Sequence, residues 1–315
     1  MQNNAQTIVV LGTGGTIAGT SARAGDNVGY TAAQIGVTDL ITAVPALAGV
    51  PLECEQLAQI DSKDMGFDVW RALALRVTHH LACADVAGVV VTHGTDTLEE
   101  TAYFLQRVLA PHKPVVMTAA MRPATSLQAD GPQNLLDAVR VAGHPGAQGV
   151  LAVLSGLVHG ARDVRKTHTY RIDAFGSGDA GPVGAVEQDA VRLWRAWPQG
   201  IPLGTQVLSA DTGSWPRVEI VTSHAGASGA VVRALCAGGV QGLVVAATGN
   251  GTLHHELEAA LLEAQAGGVR VLRSSRCLDG RVLPKAGDVL PSADDLTPVK
   301  ARIELMLALM SLIKA

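Results

Sequence analysis

Aromatic side chains are scarce: phenylalanine, tyrosine and tryptophan make up only 3% of the 315 residues. Charge is sparse too, at 17% Asp, Glu, Lys and Arg, with a formal net charge of -4 and no long basic or acidic block. That lacks the concentrated Lys/Arg footprint a nucleic-acid partner requires. No apolar run approaches the roughly 20 residues needed to cross a bilayer, so no membrane span is expected. The opening "MQNNAQTIVVLG" has neither the charged n-region nor the apolar h-region of a secretory signal. Four cysteines (Cys54, Cys83, Cys236, Cys277) show no CxxC spacing, which argues against a zinc cage or a dithiol redox centre. The expectation is buried free thiols in a reducing compartment, the cytoplasm. HExxH and GxSxG are absent, and His79-His80 and His254-His255 complete no metal spacing. No metal or other cofactor is expected.

What is present is 48% apolar residue, dominated by Ala, Val and Leu with abundant Gly, as in a compact folded chain. The length exceeds what one core usually sustains, so two domains are expected. Runs such as "TIVVL" (7–11), "AGVVVT" (87–92), "KPVVMTAA" (113–120) and "QGVLAVL" (148–154) read as buried strands. Between them, "FDVWRALALRVTHHL" (67–81) and "TLEETAYFLQRVL" (97–109) carry helical periodicity. Alternation of this kind predicts βαβ units, hence a doubly wound, mostly parallel α/β domain over residues 1–195. The stretch 170–216 is rich in Gly, Pro and Trp and shows no clear period, so excursions followed by a linker at 196–216 are expected. Beyond it, "RVEIVTS", "GLVVAAT" and "VRVLRSS" alternate with helical stretches, and a helix opens at Thr297-Pro298. This predicts a smaller α/β domain over 217–315.

In such sheets, ligands bind outside the carboxyl ends of the strands. Three strand-to-helix turns carry candidate side chains. In "LGTGGTIAGT" (11–20), Ile17 stands where a dinucleotide fingerprint needs a small residue, and Thr20-Ser21 follows Gly19 where a P-loop needs Lys. The glycines are read as sharp turns presenting Thr13 or Thr16, although a threonine here can equally cap a helix. In "QIDSKDMGF" (59–67), Asp61, Ser62 or Asp64 could cap the following helix; alternatively, Ser62 and free N–H groups could bind a carboxylate. In "VVVTHGTDTLEETAYF" (89–104), Asp96 and Glu99 could form a capping-box-like start, which leaves His93, Thr95 and Thr97 unexplained. Arg162, Arg165 and Lys166 in "GARDVRKTHT" would ordinarily be solvated.

Together, "VVLGTGGTIAGT" (9–20), "YTAAQIGVTDLITAVP" (30–45), "IDSKDM" (60–65), "VVVTHGTDTLEETAYFL" (89–105), "KPVVMTAAMRPATSLQADGPQNLLDAV" (113–139), "TGNGTL" (248–253) and "RSSR" (273–276) resemble the bacterial L-asparaginase/glutaminase family, in family order along nearly the whole chain. The resemblance implies an amidohydrolase converting L-asparagine and water to L-aspartate and ammonia. It implies Thr16 as nucleophile, Tyr30 as the loop tyrosine that helps activate it, and Thr95, Lys166 and Asp96 as a second cluster. Substrate binding is implied for Ser62, Lys63, Asp96, Ala120, Asn250 and Thr252. It further implies homotetramers, dimers of intimate dimers, whose sites lie between one subunit's N-terminal domain and a partner's C-terminal domain.

The sequence departs from the family's pattern in places. Lys63 stands where many relatives have Gln, and Thr252 where Asn or Ser is frequent. The stretch 273–302 is shorter than in relatives whose partner chain supplies a glutamate to the substrate amine, which implies weaker action on glutamine. Periplasmic relatives carry a disulfide at positions matching Cys83 and His112; the histidine is consistent with a reduced compartment. The alternatives to an asparaginase are a dual asparaginase-glutaminase, a non-catalytic amino-acid- or nucleotide-binding α/β module, and a tRNA-dependent amidotransferase subunit, for which residues 1–6 leave no room for the extra N-terminal domain.

Overall fold

The computed structural model describes residues 6–23 and 25–314, and the chain divides into two compact units between Thr205 and Gln206. The first is built on strands β1 (Thr7–Gly14), β2 (Leu52–Ile60), β3 (Val86–Thr92), β4 (Val115–Thr118), β5 (Val150–Leu154) and β6 (Leu157–Gly160). A two-residue pair, β7 (Arg165–Lys166) and β8 (Phe175–Gly176), stands apart from the main sheet. Strands β9 (Gly184–Glu187) and β10 (Ala190–Leu193) complete an eight-stranded sheet in the order β10-β9-β6-β5-β4-β3-β1-β2. The pairs from β2 to β5 are parallel, whereas β5-β6, β6-β9 and β9-β10 are antiparallel. The β9–β10 hairpin lies inside the stretch where the sequence shows no period. Its strands are short, and the small Gly184 meets the β10 backbone too closely to admit a side chain.

Strands β1 and β3 to β5 are continuous aliphatic runs because both faces are covered. On one face, helices α1 (Val37–Thr42) and α4 (Gly131–Ala142) pack Leu40, Leu135, Ala138 and Val139 onto Ile8, Val10, Val90, Val116 and Val153. On the other lie α2 (Phe67–Ala82) and α3 (Leu98–Leu109), joined by Trp70 stacked on Phe104 with ring centroids 4.8 Å apart.

The strand order sets where a site can form. From β1 the chain steps outward to β2, then returns past β1 to β3 and proceeds the other way. The sheet therefore reverses direction between β1 and β3, the topological switch point at which α/β sheets open a crevice beyond their carboxyl ends.

The second unit holds the parallel sheet β11 (Val218–Thr222), β12 (Gly242–Ala247) and β13 (Arg270–Ser275) in that order. Helices α5 (Ala230–Ala237) and α6 (His255–Ala266) bury Val232, Leu257 and Leu261 against Val221, Leu243 and Val245, and α7 (Pro298–Lys314) packs on all three strands. The cysteines are free thiols, but none is fully buried: Cys54, Cys83 and Cys236 are half-buried. Cys277 is exposed because it lies past the end of β13, in the loop beyond the core. Among the described residues, no helix is long and apolar enough to cross a membrane.

Candidate active site

Three turns meet at the switch point, and glycine is what lets them meet. Gly14 and Gly15, at the end of β1, adopt φ of 101° and 82°, a left-handed region that L side chains avoid. A Cβ on Gly15 would land on the amide nitrogen and Cα of Gly94, and one on Gly94 would land on Ser62 Oγ. The turns after β1, β2 and β3 are thus in direct contact, with Gly15 N–H bonded to the Ile60 carbonyl (2.9 Å), while His93 N–H to the Thr118 carbonyl (2.8 Å) ties the third turn to the end of β4.

On this floor, Thr16 opens a single 3₁₀ turn whose N-cap is Gly15, so its hydroxyl is not a cap. It lies 2.7 Å from Tyr30 Oη instead. Thr95 Oγ1 accepts from Lys166 Nζ at 2.9 Å, and the same amine donates to Asp96 Oδ1 at 2.6 Å. The Lys166 side chain is 19% exposed and that of Asp96 52%, so the amine is largely enclosed while the carboxylate keeps a face open. The capping-box alternative at Asp96 and Glu99 fails on this geometry. Thr97 holds the N-cap position of α3 without a side-chain cap, Asp96 is turned to Lys166, and Glu99 accepts the Lys166 backbone N–H at 3.2 Å.

Ser62 is buried beneath the third turn. Its Oγ accepts from Asp96 N–H at 3.2 Å, which leaves the hydroxyl hydrogen free to donate, and its carbonyl accepts from Thr97 Oγ1 at 2.8 Å. None of Asp61, Ser62 and Asp64 caps the following helix α2, whose N-cap is Gly66 with no side-chain bond; Asp61 caps the short 62–64 turn that comes first. Lys63 is exposed and bonded to Asp64; that bond, with the charges of Asp61 and Asp96, holds its pKa above the ordinary lysine value. Ala120 is fully buried just past the end of β4. Asn250 and Thr252 belong to the second unit. There the Asn250 amide pairs with the Leu283 backbone, donating to the carbonyl (3.1 Å) and accepting from N–H (2.7 Å), while Thr252 pairs with Thr248.

Beneath the floor runs a chain that the sequence did not assign. Trp70 Nε1–H donates to Thr101 Oγ1 (2.8 Å), which lies 3.0 Å from His93 Nε2; His93 Nδ1 is 2.7 Å from the Gly94 carbonyl. Because a carbonyl can only accept, Nδ1 carries the hydrogen and Nε2 accepts from Thr101. Burial pushes the His93 pKa down to about 4 against the opposing Gly94 bond, so the ring is neutral at pH 7. His93 to Thr101 spans two turns of chain at the strand-to-helix junction, a spacing the sequence displays without marking it. The described residues contain no cluster of three or more His, Cys, Asp or Glu suited to a metal.

The site therefore offers an enclosed amine between a hydroxyl and a carboxylate, beside a second hydroxyl bonded to a phenol. That is equipment for proton transfer around a nucleophilic hydroxyl. Comparison with known proteins agrees with this chemistry. The family model "Asparaginase, N-terminal" matches residues 7–199, and "Glutaminase/Asparaginase C-terminal domain" matches 217–312. The chain is 39% identical to L-asparaginase 2 of Bacillus subtilis (strain 168), covering 96% of this chain and 82% of that one. It is 39% identical to L-asparaginase 2 of Escherichia coli (strain K12), covering 96% and 88%, and 38% identical to the glutaminase-asparaginase of Pseudomonas fluorescens biotype A, covering 96% and 86%. The crystal structure of a probable cytoplasmic L-asparaginase from Campylobacter jejuni superposes with a TM-score of 0.91 at 39% identity, covering 96% of this chain and 95% of that one. With both of its domains matched and such identities sustained over nearly its full length, the chain belongs to the asparaginase family.

Proposed function

We propose that this protein hydrolyses L-asparagine to L-aspartate and ammonia, with Thr16 as the nucleophile. Beyond family membership, one observation carries the reading: the Lys166 amine is held at 2.9 Å from Thr95 and 2.6 Å from Asp96, on the turn whose Gly94 touches the Thr16 turn. An amide carbon is a poor electrophile and a threonine hydroxyl a poor nucleophile, so attack needs proton removal and a prepared environment.

In this mechanism Thr16 Oγ1 bonds to the side-chain amide carbon while its proton passes to Tyr30 Oη and the phenol releases its own hydrogen towards the amide nitrogen, so Tyr30 stays neutral. The nitrogen gains a proton and leaves as ammonia, which yields an aspartyl ester of Thr16. Water then attacks the ester carbon, and a proton returns to the threonine oxygen. Lys166 donates to Thr95 Oγ1, so Thr95's own hydrogen is available to the departing nitrogen. The zwitterionic ends fix the pose: Ser62 takes the α-carboxylate through its hydroxyl hydrogen with Lys63 nearby, the N–H groups of Lys63, Asp64 and Met65 being engaged within the turn, and Asp96 takes the α-ammonium. Such positioning supplies several kcal/mol of the barrier reduction. Ala120 bounds the amide end. Asn250 and Thr252 serve a partner's site in a homotetramer, a point light scattering tests directly, and the working compartment is the cytoplasm.

The test is ammonia release from asparagine by wild type, Thr16→Ala and Thr95→Val. Each variant should lose about 10³-fold in kcat; full activity in both would end the assignment. Because a relative is named glutaminase-asparaginase, ammonia release from glutamine is measured alongside, with asparagine expected to be strongly preferred.

A further inference from the structure

Tyr30 reaches Thr16 only while residues 25–31 lie over the β1 turn, and the ties that hold them are few. At the base, Thr20 and Thr31 exchange two backbone hydrogen bonds of 2.9 Å. At the tip, the Asp26 carboxylate accepts Val28 N–H (3.0 Å) and Gly29 N–H (2.7 Å), so the tip is shaped by itself. Val28 is 77% exposed and adds no anchoring burial. The outward polar ties come from Asn27. Its Oδ1 accepts from Ser126 Oγ at 2.7 Å, and its Nδ2 lies 3.5 Å from Tyr170 Oη.

What Asn27 grips is itself built. Arg122 is nearly fully buried, lies with its guanidinium 4.0 Å from the centre of the Tyr170 ring, and donates to the Tyr170 carbonyl at 2.7 Å. Asp130 fixes the backbone beneath by accepting N–H from Met121 (3.0 Å) and Arg122 (2.9 Å). Tyr170 N–H is further held by His168 Nδ1 at 3.0 Å, four residues after Lys166 is placed. The aromatic ring is thus clamped on a buried cation by both face and backbone, although it sits on an exposed excursion.

We propose that Tyr170, clamped on Arg122, is a positioning residue for the reaction: with Ser126 it forms the catch that Asn27 engages, and so sets how much of the time Tyr30 stands against Thr16. The inference rests on Thr16 and Tyr30 acting as proposed above. The two ends of the substrate are held by the turns carrying Ser62 and Asp96, which the catch does not touch. Loosening the catch therefore lowers kcat and leaves KM within about twofold.

The experiment combines steady-state kinetics with amide hydrogen exchange of the full-length protein. Asn27→Ala and Tyr170→Ala should each speed exchange across residues 26–31 and cut kcat by about tenfold, with unfolding temperature held. Tyr170→Phe keeps the face over Arg122 but removes the hydroxyl that Asn27 reaches, so it should speed exchange and lower kcat nearly as much as Tyr170→Ala. Ser126→Ala breaks one of the two ties of Asn27, so Asn27→Ala placed on it should add only the loss of the Tyr170 tie. Exchange across 26–31 that is unchanged in both alanine variants overturns the catch, as does a wild-type kcat with accelerated exchange. The exchange arm is repeated in Thr16→Ala, so an error in the nucleophile's identity leaves the exchange result readable and a failed catch leaves the Thr16 result standing.

Discussion

The floor of the site and the segment that covers it are made in opposite ways. The floor is three backbone turns in direct contact through Gly15, Gly94 and the buried Ser62, at the reversal of an aliphatic sheet. The cover is a surface excursion held by side-chain hydrogen bonds from Asn27 and Ser126 and by one self-made turn at Asp26. Close-packed backbone has few ways to relax, whereas half-exposed hydrogen bonds exchange readily with water. Under the proposed mechanism, Thr95 and Asp96 sit on the unyielding side, with Lys166 reaching them from β7, and the Tyr30 phenol sits on the yielding one.

The sharpest way to break this contrast is Gly94→Ala. Gly94 is not a left-handed position, so the added methyl acts purely by collision with Ser62. The turns must separate, and a stability loss of about 3 kcal/mol is expected with activity below about one part in 10³. Gly49→Ala is the control: its φ is 86° but nothing lies within 4 Å of the added carbon, so strain alone, about 1 kcal/mol, should appear with full activity. Urea unfolding and ammonia release read both variants.

Next in size is Lys166→Met, which keeps the aliphatic stem and removes the amine. A kcat loss of about 10³-fold is expected with the unfolding midpoint little changed, because the ion pair with a half-exposed Asp96 contributes little to stability. A midpoint that collapses would show the amine to be a structural prop.

The floor also carries a pH signature, set by His93. An unfolded chain protonates His93 near its ordinary 6.5, whereas the folded one refuses the proton until about pH 4. The stability from the neutral ring is complete above pH 6.5 and is lost as pH falls to about 4, amounting to about 3 kcal/mol. In a series of urea titrations, His93→Gln should flatten the slope between those limits; an unaltered slope would assign it to other groups. The smallest effect is expected at Lys63. It is exposed and already engaged by Asp64, so Lys63→Ala should raise KM for asparagine about threefold without altering kcat.

Much of the floor was legible in the residues. The runs of Val at β1 and β3 announced strands buried on both faces, and the glycines after β1 announced a turn that a side chain would block. The Asp96-Glu99 pattern was legible but ambiguous: a capping box and a catalytic carboxylate share one spacing, and the tertiary partner, Lys166, removes the box by drawing Asp96 away from the helix end. Lys166 itself could not be read from local pattern, since its strand is two residues long and its enclosure comes from groups some seventy positions earlier. Of β2 only the end was read, because "LECEQLAQI" mixes half-buried polar and apolar positions along the sheet edge. The β9–β10 hairpin was missed because small and exposed residues there carry no alternation. The contact of Gly15 with Gly94 is invisible in any window of sequence, being a property of which strands become neighbours.

The Thr95–Lys166 bond joins residues 71 positions apart, with α3, β4, α4, β5 and β6 between them. Assembly of the central sheet and arrival of competence are therefore separate events in time. Under the proposed role of Lys166, a nascent chain can settle β1 to β6 while still chemically inert, since the amine arrives only with β7. In refolding, circular dichroism should recover ahead of ammonia release, and the lag between them measures how long the molecule exists as a finished scaffold awaiting its amine.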